Sequence, residues 1–178
     1  MDAPTLQACT GCSAPNAALW LTPVTRAMAQ YQIDTPARQA AFLAQVSEES
    51  EHFIYTTELW GPTAQQLTYE GRTDLGNTQP GDGYRFRGRG LIDITGRVNY
   101  TAVAEALCID CIANPAMVAE PAWAALSAAW WWAQHGLNPL ADAGNFRRIT
   151  TIINGGQNGY ADRCTLWAAA KQALGVAS

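Results

Sequence analysis

The stretch "FLAQVSEESEHFIYTTE", Phe42 to Glu58, constrains this chain more than any other. Phe42, Val46, Glu49 and Phe53 recur at i, i+4, i+7 and i+11, which is one face of an α-helix. Thr35 and Pro36 stand where an N-cap and a first helical residue belong, so the spacing predicts a helix over 36–51. Glu49 then lies on the stripe that should be buried, while Glu48 and Glu51 point away from it. A carboxyl held against apolar walls resists ionisation and can stay protonated as a proton donor. The plainer reading of the same residues is a helix end carrying a solvated acidic patch.

On a continuous helix Glu58 would sit about 13 Å further along the axis and nearly opposite Glu49. "FIYTT" is β-branched and aromatic and favours extended backbone. A chain leaving the helix near His52 can therefore fold back and bring Glu58 toward Glu49. Two carboxyls roughly 6.5–9.5 Å apart suit an inverting glycosidase, one as acid and one as base for a water.

The 178 residues are enough for a single domain spanning 1–178, with 48% hydrophobic residues and seven tryptophans to build its core. Helical patterns cover 14–32, interrupted or kinked at Pro23, and the segments after Thr95, through "AWAALSAAWWWA", and around "FRRITTIIN" and "YADRCTLWAAAKQAL". Residues 53–93 are rich in Gly, Pro, Asn and Asp and read as a small lobe of loops with a short hairpin. The class is mainly α. Trp130, Trp131 and Trp132 sit on the most apolar helix and read as core.

A net charge of −4 argues against a broad nucleic-acid surface, and the short "RFRGRG" run does not reverse that. Arg85, Arg87 and Arg89 would share one face of an extended segment, either anchoring the loop, balancing the carboxylates or holding an anionic substrate group. Trp60 and Tyr84 are placed to stack on sugar faces. No apolar run is long enough to span a bilayer, and the N-terminus shows no secretory signal. The expectation is synthesis in the cytoplasm and delivery to an outside substrate by another agent. Cys9/Cys12 and Cys108/Cys111 form two CxxC pairs, with Cys164 left over. Zinc ligation, disulfides and free thiols are all open to them, and neither "GNTQPGDG" nor "INGGQNG" has the spacing of a calcium or phosphate loop.

Three blocks in order, "FLAQVSEESEHF", "GDGYRFRGRGLIDITGRVNY" and "ITTIINGGQNGYADR", resemble family 19 glycoside hydrolases, the chitinase-like enzymes, and especially their phage endolysin branch. The resemblance runs from about Ala17 to Leu174. It implies a lysozyme-like α+β fold whose small lobe flanks a cleft, with no metal or organic cofactor. It implies Glu49 as general acid, Glu58 as general base and Thr95 as a holder of the water. It places Asn99 and Asn154 at sugar-contacting positions and Arg163 beside the acidic pair; Trp60, Tyr84 and Arg87 join them as candidate substrate contacts. Two positions depart from the pattern: Glu48 stands where His is common before the acid, and Asp93 where a sugar-binding Gln is usual. The implied substrate is peptidoglycan, cut between N-acetylmuramic acid and N-acetylglucosamine by a monomer, with chitin hydrolysis or non-catalytic glycan binding as the alternatives. A phage, prophage or secretion-system origin would fit equally.

Overall fold

The computed structural model describes residues 1–176. Ten α-helices are joined by loops and two 3₁₀ turns, Thr73–Leu75 and Pro115–Ala119, among the described residues. The first three helices start alike. α1 (Ala3–Thr10), α2 (Ala14–Gln30) and α3 (Pro36–Glu49) are capped by Asp2, Ser13 and Thr35, whose side chains accept from the backbone N–H of Thr5, Asn16 and Arg38, and each has a proline in its first turn. Each cap stabilises its helix by about 1 kcal/mol. The α1 helix was not expected from the sequence. The α2 helix runs on through Pro23, so of the interruption or kink expected there the interruption does not occur.

The α3 helix is the axis of the molecule. Ala40 to Ser47 are all buried, so it has no solvent face; it packs against α1, α8 (Leu137–Asp142), α9 (Phe146–Asn154) and α10 (Tyr160–Ala173). This corrects the picture of a single apolar stripe. The small residues Ala40, Ala41 and Ala44 let neighbours approach from all sides, which a one-sided stripe would not require. α2 packs on α7 (Pro121–Gln134). Phe42 meets Trp132 edge-on with ring centroids 5.4 Å apart, a geometry worth about 0.5–1.5 kcal/mol beyond the area it buries.

The small lobe holds α4 (Ala64–Leu67) and α5 (Asp82–Arg85), and α6 (Arg97–Leu107) closes it. Its β structure is reduced to isolated bridges, Thr57 to Arg89 and Arg89 to Ile94. A separate apolar cluster of Phe86, Ile94, Tyr100, Val103, Cys111 and Val118 lies beneath it. Arg85, Arg87 and Arg89 do not share a face. The first is on the α5 turn and donates to Ile112 O and Ala113 O. The guanidinium of Arg87 lies 4.2 Å from the Tyr84 ring centroid. Arg89 is buried and donates to Arg85 O and the Tyr100 hydroxyl. None of the three pairs with a carboxylate among the described residues, so they do not balance the carboxylates; Arg85 and Arg89 anchor the lobe through backbone carbonyls. The five cysteines are all unbridged thiols, and no helix among the described residues is long and apolar enough to cross a membrane.

Candidate active site

The link between α3 and the small lobe is a left-handed turn. Glu51, His52 and Phe53 have φ of 47°, 60° and 65°, where a side chain costs roughly 1–2 kcal/mol per residue. Tertiary contacts offset this. Phe53 is buried and stacks on Trp20 at 5.3 Å. Asn16 Nδ2 donates to Phe53 O. His52 Nδ1 lies 2.6 Å from Thr10 O, an acceptor only, so that nitrogen carries the proton. Ser47 Oγ donates to the same carbonyl. The unexpected α1 is thus part of the device that turns the chain. Sequence reasoning placed the turn near His52 but gave it extended backbone; β-branched and aromatic propensity lost here to packing against α1 and α2.

The turn brings Glu49, Glu51, Tyr55, Glu58 and Asp93 onto one hollow between the helical body and the small lobe. Glu49 is not held against apolar walls as expected. Its Oε1 accepts from Arg163 Nη2 at 2.6 Å, and its side chain is 16% exposed. Arg163 is buried and also donates from Nη1 to Gln45 Oε1 and from Nε to Asn158 O. Gln45 in turn donates to Thr150 Oγ1, which donates to Phe146 O. Glu49 is therefore oriented by side chains from α3, α9 and α10. Glu48 faces Gly159, whose hydrogen its carboxylate approaches closely. Burial, first, raises the Glu48 pKa against the pull of Arg163.

Glu58 is fixed from the other side. Its Oε1 accepts from Gln66 Nε2 at 2.9 Å and Tyr69 OH at 3.3 Å, and its Oε2 accepts from Gly88 N at 3.0 Å. Its backbone N–H donates to Gly88 O. Gln66 is set by a capping box in which its Oε1 receives Thr63 N. The T-x-x-Q spacing of Thr63 and Gln66 is legible in sequence and was the signal for this missed residue. Trp60, Tyr84 and Arg87 form a neighbouring cluster: the indole lies 5.3 Å from the Tyr84 ring and 6.2 Å from that of Tyr69. Tyr69 links the indole to Glu58, which lines the hollow.

Asp93 is shared with a second hollow, which also holds Ile92, Thr95, Asn99, Trp131 and Ile153. Trp131 packs against both apolar clusters, as expected, and also lines this hollow; Trp132 alone of the three is fully buried. Thr95 Oγ1 donates to Asp93 O and Asn99 Nδ2 to Thr95 O. Thr95 is thus placed with Asn99 rather than on the hollow of Glu58. Asn154 is the last residue of α9, where its Oδ1 accepts from Asn158 N, and it follows the hollow's Ile153 in the chain. By surface area Asp93 is an exposed residue, but that surface is the cleft and not the outside of the molecule. Withdrawal from bulk water, then repulsion from Glu49 and Glu58, pushes its pKa up to about 7. No group of three or more metal-ligating side chains comes together among the described residues.

A family model described as chitinase class I matches residues 28–144. A Haemophilus influenzae protein described as containing a glycosyl hydrolase family 19 domain is 37% identical over 159 residues, covering 74% of this chain and 78% of the relative. An endochitinase of Arabidopsis thaliana is 35% identical over 118 residues, covering 66% of this chain but 39% of the plant protein. Among solved structures, a bacterial family 19 chitinase superposes with a TM-score of 0.74 at 21% identity, over 98% of this chain and 94% of that one. Chitinase C of Streptomyces griseus gives 0.73 at 24% identity, over 97% and 75%. At these identities the two structures share the fold.

Proposed function

This chain belongs to glycoside hydrolase family 19, and we propose that it cleaves β-1,4 bonds of peptidoglycan, between N-acetylmuramic acid and N-acetylglucosamine, by single displacement with inversion. The observation that supports this most is the pairing across one hollow of Glu49, from the helical body, with Glu58, from the small lobe, each held by its own donors. In this mechanism Glu49 accepts Arg163 on Oε1 and carries a proton on Oε2, which it gives to the glycosidic oxygen as the bond to the anomeric carbon breaks. Glu58 takes a proton from a water that attacks that carbon from the opposite face. Glu49 ends ionised and Glu58 protonated, and solvent restores both. Thr95 has spent its hydroxyl hydrogen on Asp93 O, so toward a water in the cleft it can only accept. Asn99, Asn154, Trp60, Tyr84 and Arg87 are proposed as sugar contacts.

The preference for peptidoglycan rests on the likeness of "TPARQAAFLAQ" to the endolysin branch. The likeness to a plant endochitinase favours a second reading, chitin hydrolysis. Mass spectrometry of purified murein and of colloidal chitin after incubation separates them. The expected result is murein fragments with new reducing ends at N-acetylmuramic acid. Products from chitin alone would make the protein a chitinase, and binding without new ends would make it a glycan-binding protein.

A further inference from the structure

The arginines of the small lobe and its closing helix divide by what holds them. Arg72 and Arg97 pair with Asp74 and Asp82, and Arg85 and Arg89 donate to backbone carbonyls. Arg87 has no carboxylate partner among the described residues. Its side chain makes one hydrogen bond there, from Nη1 to Tyr84 O at 3.0 Å, and its Nε is enclosed without a partner. Leaving an enclosed donor of a charged group unpaired is costly. Arg87 is nevertheless held in place. Its guanidinium lies over the Tyr84 ring, 4.2 Å from the centroid, and its carbonyl accepts from the Tyr100 hydroxyl. The next residue, Gly88, donates to Glu58 Oε2 and accepts from Glu58 N. Trp60, two residues after Glu58, meets the Tyr84 ring edge-on, and Leu59 between them lines the hollow. A cation with no counter-charge from the protein thus stands next in the chain to the clamp on the candidate base, stacked on an aromatic cluster that continues from the hollow.

Resting on the glycosidase reading above, we propose that Arg87 is a specificity-determining residue that pairs with a carboxylate on the side arm of an anionic amino sugar. That carboxylate is either the lactyl group of N-acetylmuramic acid or one on the stem peptide attached to it. Chitin offers neither, because each of its rings is a neutral N-acetylglucosamine. Stacking on Tyr84 occupies one face of the guanidinium. Its Nη2 has no protein partner among the described residues, and a guanidinium presents paired N–H donors to a carboxylate in its own plane. The rings of Trp60 and Tyr84 lie alongside, so the cluster offers a sugar face and a charge contact in one place. The chain carries a net charge of −4, so this recognition is local and needs no basic surface.

Binding to soluble glycans of matched length tests this on the full chain: murein strands stripped of stem peptides, strands that keep them, and N-acetylglucosamine oligosaccharides. Calorimetry is done on Glu49→Gln, so that the strands stay intact. Adding Arg87→Gln is expected to weaken binding of an anionic strand about tenfold, between the worth of an exposed ion pair and that of a buried charge-assisted hydrogen bond. The neutral oligosaccharide should lose several-fold less, and its binding also reports that the variant is folded. The difference on the anionic strand should shrink as salt is raised. A loss on stripped strands assigns the lactyl carboxylate, and a loss confined to peptide-bearing strands assigns the peptide. Equal losses on anionic and neutral glycans, no loss on any, or a difference that ignores salt would overturn the proposal. If the wild type releases no new reducing ends from any of these glycans while the Arg87-dependent preference stands, the glycosidase reading fails and the carboxylate contact is upheld as that of a glycan-binding protein.

Discussion

Arg163 joins Glu49 to Gln45 through two nitrogens of one guanidinium, at 2.6 Å each. The residues it bridges are four apart on α3, so one turn of the central helix is locked to α10 by a single side chain. Lysine could not do this, because it lacks the planar fork.

Gln45 is the test of that lock. It is fully buried, and Gln45→Leu would strip a partner from Arg163 Nη1 and from Thr150. Chemical denaturation should show a loss of about 1–3 kcal/mol, the cost of leaving buried polar groups unpaired. Turnover should fall more than KM rises, since Gln45 touches the acid's partner and not the substrate. A stability loss with wild-type turnover would reduce the network to a structural role.

Gly159 precedes α10 with φ of 66°, and an added Cβ would collide with the Glu48 carboxylate. Gly159→Ala is expected to cost about 1–2 kcal/mol from the left-handed backbone alone, plus the collision. In a double-mutant cycle Glu48→Ala should recover the second part only. Additive losses would show that the two residues do not meet.

The raised pKa of Asp93 also bears on stability. A carboxyl whose folded pKa exceeds its ordinary 3.8 contributes stability that is complete below that value and is lost as pH rises through about 7. The melting temperature of Asp93→Asn relative to wild type should therefore climb over that window. A difference independent of pH would mean that Asp93 ionises alike in both states.

Glu49→Gln keeps the size of the side chain but cannot transfer the proton, and should lower turnover ~10²–10⁴-fold. Glu51 lines the same hollow although the helical wheel pointed it away, so Glu51→Gln is the control that matters. It should lose far less, because Glu51 has no partner comparable to Arg163. Equal losses at both positions would shift the acid role away from Glu49.

Helices such as α3 were legible because their signals are local: Thr35 and Pro36 announce α3 without help from the rest of the chain, although the like-capped α1 was missed. The candidate acids were legible because Glu49 sits on an apolar helix and Glu58 follows a predicted break. The rest was not. The enclosure of α3 on every side depends on α8, α9 and α10 arriving from far along the chain, so a one-faced stripe was read where a core axis exists. Arg163, 114 residues away, stands in place of the expected apolar wall around Glu49; the family resemblance set it beside the acidic pair, but spacing could not. The left-handed turn at Glu51–Phe53 carries no glycine to signal it, and exists because Trp20, Asn16 and Thr10 hold it.

The central claim is that Glu58 activates a water while Glu49 protonates the leaving group. Proton NMR of a soluble oligosaccharide digest, recorded before the new reducing end equilibrates, reads this directly. Single displacement predicts the α-anomer as the first product from a β-linked glycan. An initial β-anomer would mean retention through a covalent intermediate, with the carboxyls only about 5–5.5 Å apart, and would contradict the account.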